Sequence, residues 1–250
     1  MGAMSWLEGG CRLMKTKDRI LAAGLRLFNE RGERNVSTNH IATDLGISPG
    51  NLYYHFRNKN EIVRQLFEQY QSEVQGFLVI PQGRPISFQD KVQYLESILN
   101  SMWAFRFLHR DLPHLLAENA PLRDAYQKFA SDTLRSGREV LQSLVDVGVM
   151  VASGEQLDAL VVNIWVVVTA WGSLLQAVAH PQQSDPDIGR ALLQRAIYQV
   201  IALEEPYLCE ALRPMVPELK QRYLGANSSD PLLLFSFPAL RQDTGSECSD

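Results

Sequence analysis

Cysteine is scarce in this 250-residue chain, and the three present, Cys11, Cys209 and Cys248, are odd in number, far apart and without metal-ligand spacing. That excludes a disulfide framework and a CxxC metal or redox site, and it suits a reducing, cytoplasmic setting. Histidine is equally thin. None of His40, His55, His109, His114 and His180 forms the i,i+4 pair of a zinc-binding helix, since His109 and His114 stand five apart. There is no phosphate-cradling glycine loop and no Gly-x-Ser-x-Gly elbow, and Asp111 and Glu118 near His114 read as solvated caps rather than an acid–base pair. An enzyme is therefore not expected, nor a metal or a cofactor. The N-terminus lacks a basic start leading into a sustained apolar core, so it is no secretory signal. Residues 1–14 are expected to be a disordered leader or one added for expression. No stretch alternates apolar and polar residues between glycine turns, which leaves helical periodicity dominant and an all-α fold as the expectation.

What the chain does have is concentrated in residues 36–56, VSTNHIATDLGISPGNLYYHF. Ser37 is placed to N-cap a first short helix, and Val36 before it can pack on Ile41, the staple that fixes how the chain enters a helix. Ala42 and Leu45 continue that apolar face. Gly46 supplies the left-handed backbone that ends a helix, Ile47 plugs the angle, Ser48 caps a second helix and Pro49 takes its first position, where a missing N–H costs nothing. The second helix, 49–55, is too short and too rich in Gly50, Asn51, Tyr53, Tyr54 and His55 to be a core element. Two short helices about a glycine turn, with polar and aromatic groups bunched on the second, make a helix-turn-helix; a major groove about 12 Å wide admits that second helix, with its N-terminal residues at the base edges.

Residues 18–67, DRILAAGLRLFNERGERNVSTNHIATDLGISPGNLYYHFRNKNEIVRQLF, resemble the N-terminal domain of the TetR family of bacterial transcriptional regulators. The likeness covers roughly residues 15–70 and is carried by Phe28, Gly32, Thr38, Ile41, Ala42, Gly46, Leu52, Tyr53, Tyr54, His55, Phe56, Lys59 and Glu61. The stretch 103–116, WAFRFLHRDLPHLL, is similar to one subgroup of the family. By position, the resemblance implies phosphate contacts from Thr38, Ser48, His55 and Lys59, a place at the groove for Gly50 and Asn51, and phosphate or thymine-methyl contacts from Tyr53 and Tyr54. Such contacts mostly position a protein on DNA rather than specify a sequence. Pro49 stands where relatives often carry a longer, base-reaching side chain, so direct readout is expected to be sparse.

Charge distribution agrees. The whole chain carries only −4, but residues 12–64 hold ten Lys or Arg against five Asp or Glu, whereas residues 65–250 hold fourteen against twenty-two. A basic module on an acidic body docks one end on phosphates and keeps the other away from them.

Beyond the reader module the period is helical: 17–31 is an amphipathic brace, 58–79 a connecting helix, then 87–108, a loose turn at 111–117, a long helix at 121–149, and two more at 155–179 and 187–203. The expected fold is an N-terminal three-helix helix-turn-helix DNA-binding domain (15–58) plus a C-terminal helical ligand-binding and dimerisation domain (59–224), with a tail at 225–250. Residues 206–224 are expected to form one or two short helices outside the last two long ones. Residues 159–179 carry no charge over a span-length stretch. Asn163, Thr169, Ser173 and Gln176 spread around that helix, with no flanking Lys or Arg, argue against a membrane and for burial between a core and a partner subunit.

In relatives the last two long helices build a four-helix dimer interface, which places Trp171, Leu175, Val178, Leu192, Arg195 and Tyr198 at the expected contact with a second copy. A ligand pocket for a hydrophobic or amphipathic effector is expected among Leu99, Met102, Trp103, Phe105, Phe107, Asn163, Trp165, Val167 and Trp171, with ordinary core packing as the alternative for each aromatic. Repression relieved by such an effector is the family default. A ligand-independent DNA-binding regulator or activator is the alternative, and an enzyme or a membrane-anchored protein the more remote one.

Overall fold

The structure, a computed structural model, describes residues 15–178 and 186–224. Helix α1 (Thr16–Arg31) buries Ile20, Leu21, Leu27 and Phe28 along one face and ends at Gly32, whose N–H donates to the Phe28 carbonyl. Gly24 marks where α1 crosses the fourth helix: a Cβ there would lie 3.2 Å from Ile62 Cγ2. After a single 3-10 turn, Glu33–Asn35, come α2 (Thr38–Leu45), α3 (Pro49–His55) and α4 (Lys59–Phe77). Val36, Ile41, Ala42, Leu52, Phe56, Ile62 and Val63 close with α1 into the small core of a three-helix module. Helix α4 runs on past it. Its first half packs under that module while Tyr70 and Val74 are buried in the body beyond.

The body begins with α5 (Phe88–Ala104), opened by a reciprocal cap in which the Ser87 hydroxyl accepts from the Asp90 N–H and the Asp90 carboxylate accepts from the Ser87 N–H. Then follow α6 (Arg106–Arg110), α7 (Leu112–Glu118), α8 (Ala120–Asp146), α9 (Gly154–Val178), α10 (Pro186–Glu204) and, after 3-10 turns at Glu205–Tyr207 and Arg213–Met215, α11 (Val216–Leu224). Among the described residues there is no strand, only an isolated bridge between Met150 and Leu208 that ties the α8–α9 link to the C-terminal extension.

Two expected elements differ. The helix anticipated over 87–108 breaks at Phe105, whose ring turns inward to within 5.7 Å of Tyr70. The carbonyl and amide freed by the break are taken up by Asn29 of α1, which donates to Ala104 O at 2.7 Å and accepts from Phe107 N at 3.1 Å. The loose turn anticipated at 111–117 is helix α7, with Pro113 in its first turn. The extension beyond 205 packs α11 on α10, buries Val216, and sends the Tyr223 hydroxyl to the Glu96 carboxylate on α5. The leader 1–14 and tail 225–250 lie outside the described residues.

Candidate nucleic-acid interface and internal cavity

The reader surface is built by caps. Ser37 Oγ accepts from the His40 N–H at 3.3 Å while His40 Nδ1 accepts from the Ser37 N–H at 3.3 Å, so a histidine does the work a glutamate usually does in this box. Gly46 adopts φ 64°, ψ 30°, the left-handed stop, and Ser48 Oγ accepts from the Asn51 N–H at 3.2 Å to start α3. Leu52 alone of α3 is fully buried, which turns Pro49, Gly50, Asn51, Tyr53 and Tyr54 outward. Tyr54 is 86% exposed, its ring set edge-on to the half-buried His55 at 5.1 Å; a phenol held this far into solvent has no packing role. Tyr53, 47% exposed, shares a 3.1 Å hydrogen bond with Thr38 Oγ1, which locks α3 to α2 and sets both hydroxyls on one edge.

Lys59 is placed differently from a side chain reaching for phosphate. Its ammonium lies 2.8 Å from Glu33 Oε1 and donates to the Glu33 carbonyl at 3.0 Å, so it pins α4 to the 3-10 turn. It still borders the shallow depression that Arg34, Thr38, His40, Tyr53 and Arg57 also line. Arg34, His40 and Arg57 were not singled out in the sequence; the basic residue directly after buried Phe56 was the available signal for Arg57.

A second site lies inside the body, between α4, α5, α8 and α9. It is a cavity of about 100 Å³ walled by Leu95, Ile98, Met102, Phe129, Leu134, Val161, Ile164, Trp165 and Val168, with Tyr70, Lys91, Tyr94, Thr133 and Thr169 as its polar members. The Tyr94 hydroxyl donates to Val79 O at 2.6 Å and the Thr169 hydroxyl to Trp165 O at 2.7 Å, so both are spoken for. Thr133 Oγ1 is buried with no hydrogen-bond partner. Lys91 pairs with Glu204 of α10 out of contact with solvent; burial pushes the ammonium down and the carboxyl up, and each partner draws the other back toward its charged form. Burial likewise keeps the Tyr70 phenol protonated and holds His109, edge-on to Tyr70 at 5.2 Å with Nε2 unpartnered, down at about 4. Among the described residues no three His, Cys, Asp or Glu side chains gather as a metal set.

Of the residues expected at a pocket, the structure brings Met102 and Trp165 to this cavity. Leu99 is buried in the surrounding core, Trp103 stacks on Arg106 at 4.9 Å, and Phe107 packs on Phe28 of α1 at 5.2 Å. On α9 the wall is formed by Val161, Ile164, Trp165 and Val168, whereas Asn163 is exposed and neither Val167 nor Trp171 reaches it.

Two family models match the chain: "Bacterial regulatory proteins, tetR family" over residues 20–66, and "TetR: Bacterial transcriptional repressor" over residues 69–215. The second alone spans more than half of it. The chain belongs to the TetR family. A crystal structure of a TetR-family transcriptional regulator from Marinobacter aquaeolei VT8 is 42% identical, with a TM-score of 0.77, and the match covers 84% of this chain and 99% of that one. Another, of a putative transcriptional regulator from Saccharomonospora viridis in complex with choline, shares the fold at 19% identity and a TM-score of 0.55, over 71% of this chain and 92% of that one. Among curated proteins, the HTH-type transcriptional regulator SAB2452 of Staphylococcus aureus is 28% identical over 111 residues, 44% of this chain; the match spans 58% of that relative's own length.

Of the residues expected at a subunit contact in this TetR-family chain, three have side chains that the structure describes. Trp171 is buried within the chain, 8% exposed, and Arg195 and Tyr198 are half-buried. The side chains of Leu175, Val178 and Leu192 lie outside the described residues. The open face of α9 carries Val162, Val166 and Leu174 at four- and eight-residue steps. Residues Gly154–Leu174 are long and apolar enough to cross a membrane by length and composition, with only 22% of the window buried in the single chain. The buried side of this helix nonetheless packs on α8 and α10 and walls the cavity. One such core helix is no indication of a membrane.

Proposed function

We propose that the chain acts as a homodimeric, sequence-specific DNA-binding regulator in which residues 15–58 read DNA and residues 59–224 dimerise and bind an effector. The observation that carries the reading is the exposure of Tyr54, with Asn51, Gly50 and Pro49 beside it, on a short helix whose start and orientation are fixed by caps. Thr38, Ser48, Tyr53 and His55 flank it as phosphate and backbone contacts, in keeping with a basic module on an acidic body. One module of this size makes too few contacts for specific binding at cell salt. Two related by a twofold read half-sites about 34–36 Å apart. The exposed stripe Val162, Val166 and Leu174 supports α9, with α10, as the seam between two copies.

The cavity supports the ligand switch. Helix α4 contributes Tyr70 and Val74 to its wall, with Leu78 just after its end, and also forms the floor of the reader module, so an occupant that prefers one tilt of α4 alters the spacing of the two recognition helices. By linkage it weakens operator binding by the factor with which DNA weakens its own. Repression is the direction implied by the family resemblance. Gel-shift titration of DNA flanking the chain's own gene, against random duplex of equal length, tests the DNA reading: preference for the flanking DNA supports it, and equal affinity, or none at low salt, refutes it.

A further inference from the structure

We propose that the central cavity takes an uncharged apolar molecule of single-ring size bearing one hydrogen-bond-accepting oxygen, an assignment that rests on the reading of this cavity as the effector site. Size sets the first limit. At about 100 Å³ the space is smaller than the roughly 150 Å³ apolar cavity that holds benzene in another protein, so a single ring with a short substituent is the upper limit and enters only as the walls move outward. Charge sets the second. Lys91 is the one charged side chain on the wall, no carboxylate lines it, and Glu204 already neutralises the ammonium from outside the lining. A cation would find no carboxylate on the wall to hold it. An anion would leave two carboxylates sharing one lysine away from water, which is costly unless each charge is fully paired.

The polar groups choose the remaining feature. Thr133 Oγ1 is buried on the wall without a partner, whereas the Lys91 ammonium is turned to Glu204, outside the lining, and to the Phe88 ring. The Thr133 hydroxyl can donate. A carbonyl or ether oxygen therefore finds a partner that a hydrocarbon of the same shape does not use, a difference on the order of tenfold in affinity.

Acetophenone and ethylbenzene share a skeleton and differ by that oxygen; benzoate and benzylammonium are ions of the same size. Calorimetric titration of the full chain with each is expected to rank acetophenone about tenfold tighter than ethylbenzene and tighter than either ion. Thr133→Val is expected to reduce the acetophenone advantage at least about threefold and leave ethylbenzene unchanged, and Ile98→Phe, which fills the wall, to remove binding of both at unchanged helicity. Benzoate or benzylammonium binding as tightly as acetophenone, or an advantage untouched by Thr133→Val, overturns the ligand class while leaving the effector-site reading in place. Failure of all four compounds to bind overturns both.

Discussion

Arg110 and Asn29 form a clamp between the reader module and the body, and removing the arginine has a calculable cost. Arg110 Nη2 donates to the Phe28 carbonyl at 2.7 Å and Nη1 to the Asn29 carbonyl at 3.3 Å, at the C-terminal end of α1, where a cation is also favoured by the helix dipole. A hydrogen bond from a charged group contributes about 1.5–3 kcal/mol. The second bond is long, the side chain is 28% exposed, and the Gly32 N–H still donates to Phe28 O at 3.0 Å once the arginine is gone, so the Phe28 carbonyl keeps a partner. These reductions bring Arg110→Met to about 2 kcal/mol. Asn29→Ala also removes two bonds, those to Ala104 O and Phe107 N, and costs a similar amount, about 2 kcal/mol. Because both side chains fasten α1 to the same short helix, a double-mutant cycle is expected to show a coupling above about 0.5 kcal/mol. Urea unfolding followed by circular dichroism reads all four variants. An Arg110→Met loss below about 0.5 kcal/mol, with additive single effects, would show that the two halves are held together by the Phe28–Phe107 contact and α4 without the clamp.

Three further perturbations have defined outcomes. His109 is depressed from 6.5 to about 4, so the folded chain binds fewer protons than the unfolded one between those values; stability is complete above pH 6.5 and falls as pH drops toward 4, by at most about 3 kcal/mol, a slope that His109→Phe is expected to flatten in urea titrations at stepped pH. Lys59→Met strands the Glu33 carboxylate, which is 5% exposed, and is expected to lose about 2 kcal/mol, whereas the double change Lys59→Met with Glu33→Gln recovers most of it; a thermal melt unchanged by the single substitution would argue against the pinning role. Gly32 sits at φ 86°, ψ 141°, where a side chain is strained, and its Cβ would meet Asn35 and Arg110 at 3.4 and 3.5 Å, so Gly32→Ala is expected to cost about 1–3 kcal/mol and several degrees of melting temperature, while an unshifted melt contradicts the strain.

The reader module was legible because its determinants are local. Ser37, Gly46, Ser48 and Pro49 act within a turn of themselves, and the capped helices appear where those residues place them. The body was less so. The break at Phe105 depends on Asn29, which lies about 75 positions away, and no periodicity within 87–108 announces it. The facing of α9 had no phase to read. A helix apolar on every side gives the same signal for Val161 and Val162, yet the first walls the cavity and the second faces out. The Lys91–Glu204 pair joins residues 113 apart, and the Lys59–Glu33 pair went unread because Glu33 is an acid in a 3-10 turn that no pattern marks as buried.

Selection of bound duplexes from a randomised pool, with sequencing of the survivors, tests most directly whether two copies of α3 read DNA. The expected result is an enriched motif with twofold symmetry and half-sites about ten base pairs apart, weakened throughout by Tyr54→Ala. A pool that emerges unenriched, or an asymmetric motif indifferent to Tyr54, would contradict it.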